Sequence, residues 1–467
     1  MERKKETMTT HSNGGNTWLT KLERIARVSK EKPKERLNNI GHVIDFDFLL
    51  DCFKSLDGKK AVGVDGITKD VYAMDLTANL TELLVRIRRG TYRPQAARLV
   101  LIPKEDGSTR PLAISSIEDK IVQLASSRIL ESIYEVQFLD CSYGYRPGRN
   151  AHDALETLTR KAIQVKWGLI YEIDLKKYFN SIPHDKLMRI LEMKISDSRF
   201  LGLISTQLKM PIVTEKGVEP AQCGVPQGAN LSPILSNVFL HYALDRWFEH
   251  QSKSSSRIFL GQADLVRFCD DCVFVFEKRD DGEKFVHILK ERLARFGIEL
   301  NEEKSSLQHA GRRKMKEMFE QGKRLPSFKF LGFQIYWKRN RNGFFRLGFK
   351  PRSDRFRTKL KSIKEHLKKH RNVRNHVALL RDVKRVVEGW VRYFSITDCE
   401  PMVHAFITEV RRLIHRWFNQ RGGRQSIPWK RVHPILISIN FPRTSCKTRS
   451  MYPGPRVNQT KSRFSGA

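Results

Sequence analysis

A chain of 467 residues with 86 Lys and Arg against 51 Asp and Glu carries a formal charge of +35, a surplus whose commonest physical partner is a polyanion, above all nucleic acid. No stretch reaches the roughly 18 apolar residues that span a bilayer, and the N-terminal MERKKETMTTHSNGGN has no apolar centre of a secretory signal. A membrane-spanning helix is not expected, and a soluble, cytoplasmic protein with no membrane partner is.

Residues 1–17 are polar and read as a disordered tail. Trp18, Leu22 and Ile25 then recur at helical spacing, followed by the apolar run FDFLLDCF. In LTANLTELLVRIRRG, Leu76, Leu80, Leu83, Leu84 and Ile87 share one helical face and Gly90 stops it. LVLIPKEDGSTRPLAI reads as a hairpin with Lys104 and Arg110 flanking its turn. In the next helix Ser116 and Asp119 are spaced as a capping pair, with Val122, Ala125, Ile129 and Ile133 facing inward. Short strands and turns dominate from Leu169 to Tyr336, broken by the helix SPILSNVFLHYALDRWF, where Ser232 is placed to cap and Pro233 to fill the first turn. Beyond Tyr336, basic residues interleave with aromatics, a composition suited to backbone contact and base stacking. Two amphipathic helices follow. One carries Val383, Val386, Val387, Trp390 and Phe394; the other carries Val403, Phe406, Ile407, Val410, Leu413, Ile414 and Trp417, with Arg411, Arg412 and Arg416 off the stripe. Residues 426–467 read as a basic, mobile C-terminal tail.

The chemistry centres on VRFCDDCVFVF. A doubled Asp is most often a hairpin turn, and Asp280 and Asp281 in EKRDDGEK read as that and no more, exposed among charges. Asp270 and Asp271 differ, because the following Val273 to Phe276 is a buried-strand pattern, and carboxylates against a core are costly unless they bind cations. Asp174 ends a third apolar strand pattern in LIYEIDLKKYFNSIPH. A strand-end Asp with an aspartate pair in a hairpin is an arrangement that holds two divalent ions, with Mg²⁺ preferring such oxygen ligands. Lys104 and Arg110 can clamp a triphosphate, and Pro226, Gln227 and Gly228 form a loop whose backbone can approach a nucleotide. Seven cysteines, Cys52, Cys141, Cys223, Cys269, Cys272, Cys399 and Cys446, are odd in number and irregular in spacing, which favours reduced thiols. Cys269 and Cys272 have C-x-x-C spacing without a second close Cys/His pair, so packing thiols are the better reading than zinc.

The ordered series GVDGIT, IPKEDGSTRPLAI, YGYRPGRNAHDAL, EIDLKKYFNSI, GVPQGANLSPILSN, RFCDDCVFVF, IELNEEKS and FKFLGF resembles the successive blocks of reverse transcriptases. More narrowly, with TWLTKLERIARVSKE, ILESIYE and VVEGWVRYF, it is similar to the group II intron type, which combines polymerase and maturase; the likeness runs from about Trp18 to Gly423. The resemblance implies an α+β fold with right-hand fingers and palm built on an antiparallel palm sheet (18–337), then an α-helical thumb and maturase, or X, domain (338–425). It implies that Asp174, Asp270 and Asp271 are catalytic and hold two Mg²⁺ ions, and that Lys104 and Arg110 bind the triphosphate. Phe179 would exclude a 2′-hydroxyl, with Tyr178 as the alternative if the alignment shifts by one. Gln227 would support template and nucleotide, and Lys304 the departure of pyrophosphate. Phe330, Leu331, Gly332 and Phe333 would form the primer grip, and Arg411, Arg412 and Arg416 would contact RNA.

The implied activity is RNA-directed DNA polymerisation from deoxynucleoside triphosphates, with an RNA template, its own intron RNA being one candidate, and a DNA primer or target. Assistance to splicing is also implied. Two alternatives stay open: a non-catalytic RNA-binding maturase, and a domesticated enzyme serving antiviral defence or DNA repair. The sequence departs from the family pattern at Phe268 and Cys269, where Tyr and Ala are usual, and at Ala229, where a second Gly is common. It shows no Cys/His cluster of the HNH endonuclease kind, so target-strand cleavage by this chain is not expected.

Overall fold

The apolar faces read in the N-terminal third converge. Trp18, Leu22 and Ile25 of helix Thr17–Glu31 are buried, as are Phe48 and Leu49 of Phe46–Ser55 and Leu80, Leu83 and Leu84 of Leu76–Arg89, which Gly90 ends at φ +71°. All pack around helix Ile117–Tyr134 in one core. Ser116 accepts the Asp119 N–H as expected of a cap, and the buried Asp119 carboxylate accepts the Ser116 hydroxyl at 2.8 Å, Tyr92 Oη at 2.5 Å and the Gln95 N–H at 3.1 Å. Burial raises that carboxyl to about 6 against the opposing hydrogen bonds of Tyr92 and Ser116.

The computed structural model describes residues 17–452 apart from 104–108, 215–216, 220–221, 254–257, 421–425 and 444–446. Strands follow in chain order as β1 (Ala97–Pro103), β2 (Thr109–Ile114), β3 (Gly168–Ile173), β4 (Ile212–Thr214), β5 (Gly217–Glu219), β6 (Ala263–Phe268), β7 (Asp271–Phe276), β8 (Ser306–Ala310), β9 (Ser327–Phe330), β10 (Phe333–Arg339) and β11 (Phe345–Pro351). They form three sheets, ordered β2-β1-β4-β5, β6-β7-β3-β8 and β11-β10-β9. The middle sheet is antiparallel throughout. Its central strands β3 and β7 are buried on both faces. Phe274 and Phe276 pack with Phe248, Phe259 and the Phe285 ring of helix Arg279–Arg295, while Val273 and Val275 enter a second core. That alternation is the two-residue period of a strand with a hydrophobic layer on each side.

The second core runs from helix Ala151–Gln164 through β9-β10-β11 to helices His376–Phe394 and Glu400–Asn419. Their stripes are buried as expected, apart from Val386, which lies exposed, and Leu413, which is partly buried. The line drawn between 337 and 338 crosses the middle of β10, and the basic-aromatic stretch after it begins as the β10–β11 hairpin before helix Ser353–Lys369. Among the described residues no helix is long and apolar enough to cross a membrane.

Three expectations are corrected. The segment from 426 is not simply a tail: helix Trp429–Ser438 buries Val432 and Leu436, and Ile439, Phe441 and Met451 are buried beyond it. Apolar residues at three- to four-residue spacing were diluted there by a basic average composition. Ser232 does not cap; it lies inside helix Ser232–Leu240 and donates to the Pro226 carbonyl at 2.7 Å, tying the Pro-Gln loop to that helix. Asp280 and Asp281 open helix Arg279–Arg295 rather than forming a turn, and Asp281 is fully buried, accepting the N–H groups of Leu260 and Gly261 at 3.0 and 2.8 Å.

A buried carboxylate carrying two backbone donors is a stability element. Asp281→Ala is expected to lower the unfolding free energy by about 1.5–3 kcal/mol, whereas exposed Asp280→Ala changes it by less than about 0.5 kcal/mol. Urea denaturation of both variants checks this; equal effects would contradict the burial.

Candidate active site

β6 and β7 are joined by the two residues Cys269 and Asp270, with Phe268 paired to Asp271 across the turn and Cys269 at φ +59°. β3 lies on the other side of β7, with Ile173 opposite Cys272. Continuing that register by one residue sets Asp174 opposite Asp271, the separation at which side chains of facing residues interact. The sheet therefore brings Asp174, Asp270 and Asp271 to one end of its central strands. Protein around the cleft, then the charges of Asp270 and Asp174, push the Asp271 carboxyl up to about 7. Asp271 is itself solvent-accessible, so this desolvation comes from the walls of an open cleft. Asp270 is raised as well, first by desolvation and then by Asp174, with Arg110 opposing.

Glu172, two residues before Asp174, was not singled out by its sequence pattern. It accepts the Lys329 N–H at 3.1 Å, and burial with some help from Asp271 raises it to about 7. Asp174 is held from the other side. Asn301 donates to its carboxylate at 2.9 Å, and its own N–H meets Ser305 Oγ at 3.2 Å. Lys304 sits exposed on this same turn.

The hairpin is fixed from beneath by Arg267, which is fully buried in a strand of otherwise apolar inward residues. Its Nε and one Nη donate to both oxygens of Asp245 at 2.7 and 2.6 Å; the remaining contacts are Asn237 Oδ1 at 3.0 Å, Ser142 Oγ at 2.8 Å and the Cys269 carbonyl at 2.9 Å. Burial opposes the guanidinium charge, and the Asp245 carboxylate more than offsets it. Asp245 ends a π-helical segment, His241–Asp245, inserted into what reads as one continuous helix. The signal for this cluster was a lone Arg within VRF; its partner 22 residues earlier carries no local pattern. Cys269 and Cys272 are buried with thiols raised by burial, as packing thiols are, and the six described cysteines are unpaired.

Arg110 projects from β2, exposed, and its charge reaches Asp270; Lys104 lies outside the described residues. Tyr178 is buried with its hydroxyl donating to the Ser236 carbonyl at 2.8 Å, whereas Phe179 is half-buried. The Phe179 carbonyl accepts the Val225 N–H at 2.7 Å, the Gln227 carbonyl accepts the Ala113 N–H of β2 at 2.8 Å, and Gln227 Nε2 donates to Asn180 at 3.4 Å. The Pro-Gln loop thus joins Phe179 to the β2 strand. Phe330 and Phe333 are buried and pair at the β9–β10 turn; Leu331 and Gly332 both take positive φ, and Tyr393 Oη donates to the Leu331 carbonyl at 2.7 Å. The three arginines of helix Glu400–Asn419 are not part of this cluster. Arg411 stacks over Trp429, Arg412 pairs with Glu409 and Arg416 is exposed.

The donor set at the carboxylate end is all oxygen and crowded with like charge, which suits a hard divalent cation. Among the described residues, no three His, Cys, Asp or Glu side chains converge tightly enough to hold a metal ion as they stand.

A family model described as reverse transcriptase (RNA-dependent DNA polymerase) matches residues 102–335. The chain is 30% identical over 324 residues to protein YkfC of Escherichia coli, covering 63% of this chain and 80% of YkfC. It is 33% identical over 222 residues to the group II intron-encoded protein LtrA of Lactococcus lactis, covering 47% of this chain and 37% of LtrA. It is also 33% identical over 244 residues to an uncharacterized 91 kDa protein in a cob intron of Schizosaccharomyces pombe, covering 52% of this chain and 30% of that protein. The chain thus spans about a third of the lactococcal and fission-yeast proteins.

Two measurements probe the geometry. Asp271 holds its proton more tightly folded (about 7) than at its ordinary value of 3.8, so the stability this confers is complete below that ordinary value and is lost as pH rises through about 7. In chelator, the Tm of Asp271→Asn relative to the unmodified protein should therefore climb between about pH 5 and about pH 8; a constant difference would rule out the shared field. Arg267→Met strands a buried Asp245, with an expected loss of about 3–5 kcal/mol in urea denaturation, and adding Asp245→Leu should restore part of it.

Proposed function

The chain belongs to the reverse transcriptases and, within them, to the group II intron type, and from that premise we propose that it extends a primer 3′-hydroxyl with deoxynucleotides on an RNA template. The observation that carries this reading is the β3–β7 register that sets Asp174 opposite Asp271, with Asp270 in the adjoining turn and Arg110 within electrostatic reach.

Reverse transcriptases use divalent metal ions, and the residues that would hold two Mg²⁺ here are Asp174, Asp270 and Asp271. When bound, such ions supply activation of the attacking hydroxyl and neutralisation of the pyrophosphate. The rest falls to the chain's own residues. Arg110, with Lys104, neutralises the incoming triphosphate; Phe179 presents its ring beneath the sugar and rejects a 2′-hydroxyl; Gln227 steadies the nucleotide from the Pro-Gln loop. Lys304, on the turn that holds Asp174, faces the departing pyrophosphate. The turn Phe330–Phe333 supports the primer end. Fingers and palm (18–337) perform the chemistry, and the helices of 338–425 with Arg411, Arg412 and Arg416 bind RNA.

The basic charge of the chain and the relatives' origin in introns support a second activity on the same scaffold, binding intron RNA to assist splicing. The unpaired thiols support a reducing, cytoplasmic setting.

The test supplies poly(rA), oligo(dT), dTTP and Mg²⁺. Extension is expected from the unmodified protein, abolished by Asp270→Ala, and RNA binding should weaken steeply with salt. No extension by folded protein, or equal extension by Asp270→Ala, would refute the polymerase reading.

A further inference from the structure

Tyr145 is 60% exposed, yet its backbone sits at φ +55°, a region a bulky residue rarely occupies. The residues around it leave little choice. Gly144 packs so tightly on the catalytic hairpin that a Cβ there would lie 2.6 Å from the Cys269 nitrogen, and Asn237 donates to the Gly144 carbonyl at 2.7 Å. Before it, the Tyr143 N–H bonds the Arg267 carbonyl at 2.8 Å. After it, buried Arg146 is anchored by Glu135 and by the carbonyls of Leu139 and Ser142 at 2.8 and 2.9 Å. The loop is therefore clamped on both sides of one residue, and the residue so held turns its ring to solvent rather than into the core.

Among the described residues no hydrogen bond to the Tyr145 hydroxyl repays that arrangement. Glycine would take this φ without strain, and an exposed ring contributes little packing. Strain held in place by a rigid surround is a mark of function rather than of folding. The Tyr145 ring also lies within electrostatic reach of the two groups that matter. Its phenol is raised by the surrounding protein, then by Cys269 and Asp270, with Arg110 opposing. It thus lies within the fields of the catalytic turn and of the β2 arginine.

We propose that Tyr145 is a binding residue for the incoming deoxynucleotide, its ring stacking on the nucleoside while Arg110 takes the phosphates. This rests on the polymerase reading. It differs from the role given to Phe179, which discriminates the sugar.

The experiment compares the full chain with Tyr145→Gly and Tyr145→Phe, measuring KM for dTTP, kcat, affinity for template–primer, and Tm. Tyr145→Gly should raise KM for dTTP about tenfold, as loss of one base–aromatic stack does, with kcat kept within about threefold. Its Tm should hold or rise, because glycine relieves the strain. Tyr145→Phe should restore KM. An unchanged KM, a weakened template–primer affinity in its place, or a fall in Tm would overturn the inference, the second by making the template the stacked partner. Absence of extension by the unmodified chain would instead refute the polymerase reading, and this inference with it.

Discussion

Arg267 uses all five of its N–H donors in a site from which water is excluded. Burying a charge pair of this kind does not obviously stabilise a fold, since an apolar replacement of equal volume is often as good. What the pair contributes is direction. A guanidinium is planar, and its acceptors here come from four places: the π-helical segment at Asp245, the helix before it at Asn237, the loop at Ser142, and the hairpin carbonyl of Cys269. Each is fixed relative to the others by one rigid group. A hairpin of apolar strands could roll on its sheet; this one is pinned at its tip.

From that pin the electrostatics of the cleft follow. Asp270 and Asp271 cannot turn away from Asp174, because the β3–β7 register and the Arg267 clamp act on the same few residues. The raised carboxyls of Asp271 and Glu172 record first the desolvation of that cleft and then its like charges. Opposing charge comes from Arg267 within the sheet and from elements outside it: Arg110 from β2 acts with Arg267 on Asp270, while Arg352 and Arg355 beyond β11 act on Asp271. Negative charge is thus concentrated on rigid strands, and positive charge is brought to it by neighbouring elements. A cleft so arranged is suited to gathering a cation and a polyphosphate together.

The two aspartate pairs show how far a linear pattern reaches. Around Asp270 and Asp271 the apolar run reported correctly that the turn lies against the core. Around Asp281 the charged neighbours misled, because its burial depends on the N–H groups of Leu260 and Gly261, and no periodicity records a partner 20 residues away. Arg267 was missed for the same reason: a polar residue in a strand looks like an outward-facing one until its acceptors are known. The choice between Tyr178 and Phe179 was open in the sequence. In the structure Lys177 at φ +48° starts the short helix and Tyr178 enters the core. Blocks of motif order were legible throughout; long-range polar pairing was not.

Composition also suggested a catalytic half followed by a basic RNA-binding half, and the packing joins them. Phe333 beside the β9–β10 turn packs tilted against Phe394 at 4.9 Å and stacks on Tyr393 at 5.5 Å, both from helix His376–Phe394. At the turn itself Tyr393 bonds the Leu331 carbonyl and the Arg352 N–H bonds that of Gly332 at 3.1 Å. His152, from the helix beneath the palm sheet, bonds the Tyr393 carbonyl at 2.7 Å. One aromatic residue therefore links the C-terminal helices, the turn proposed to support the primer, and the palm. Close-packed interiors transmit displacement rather than absorb it. A ligand that shifts helix His376–Phe394 must then move the turn at Leu331 or break the Tyr393 contact, so the C-terminal helices and the β9–β10 turn are mechanically one load.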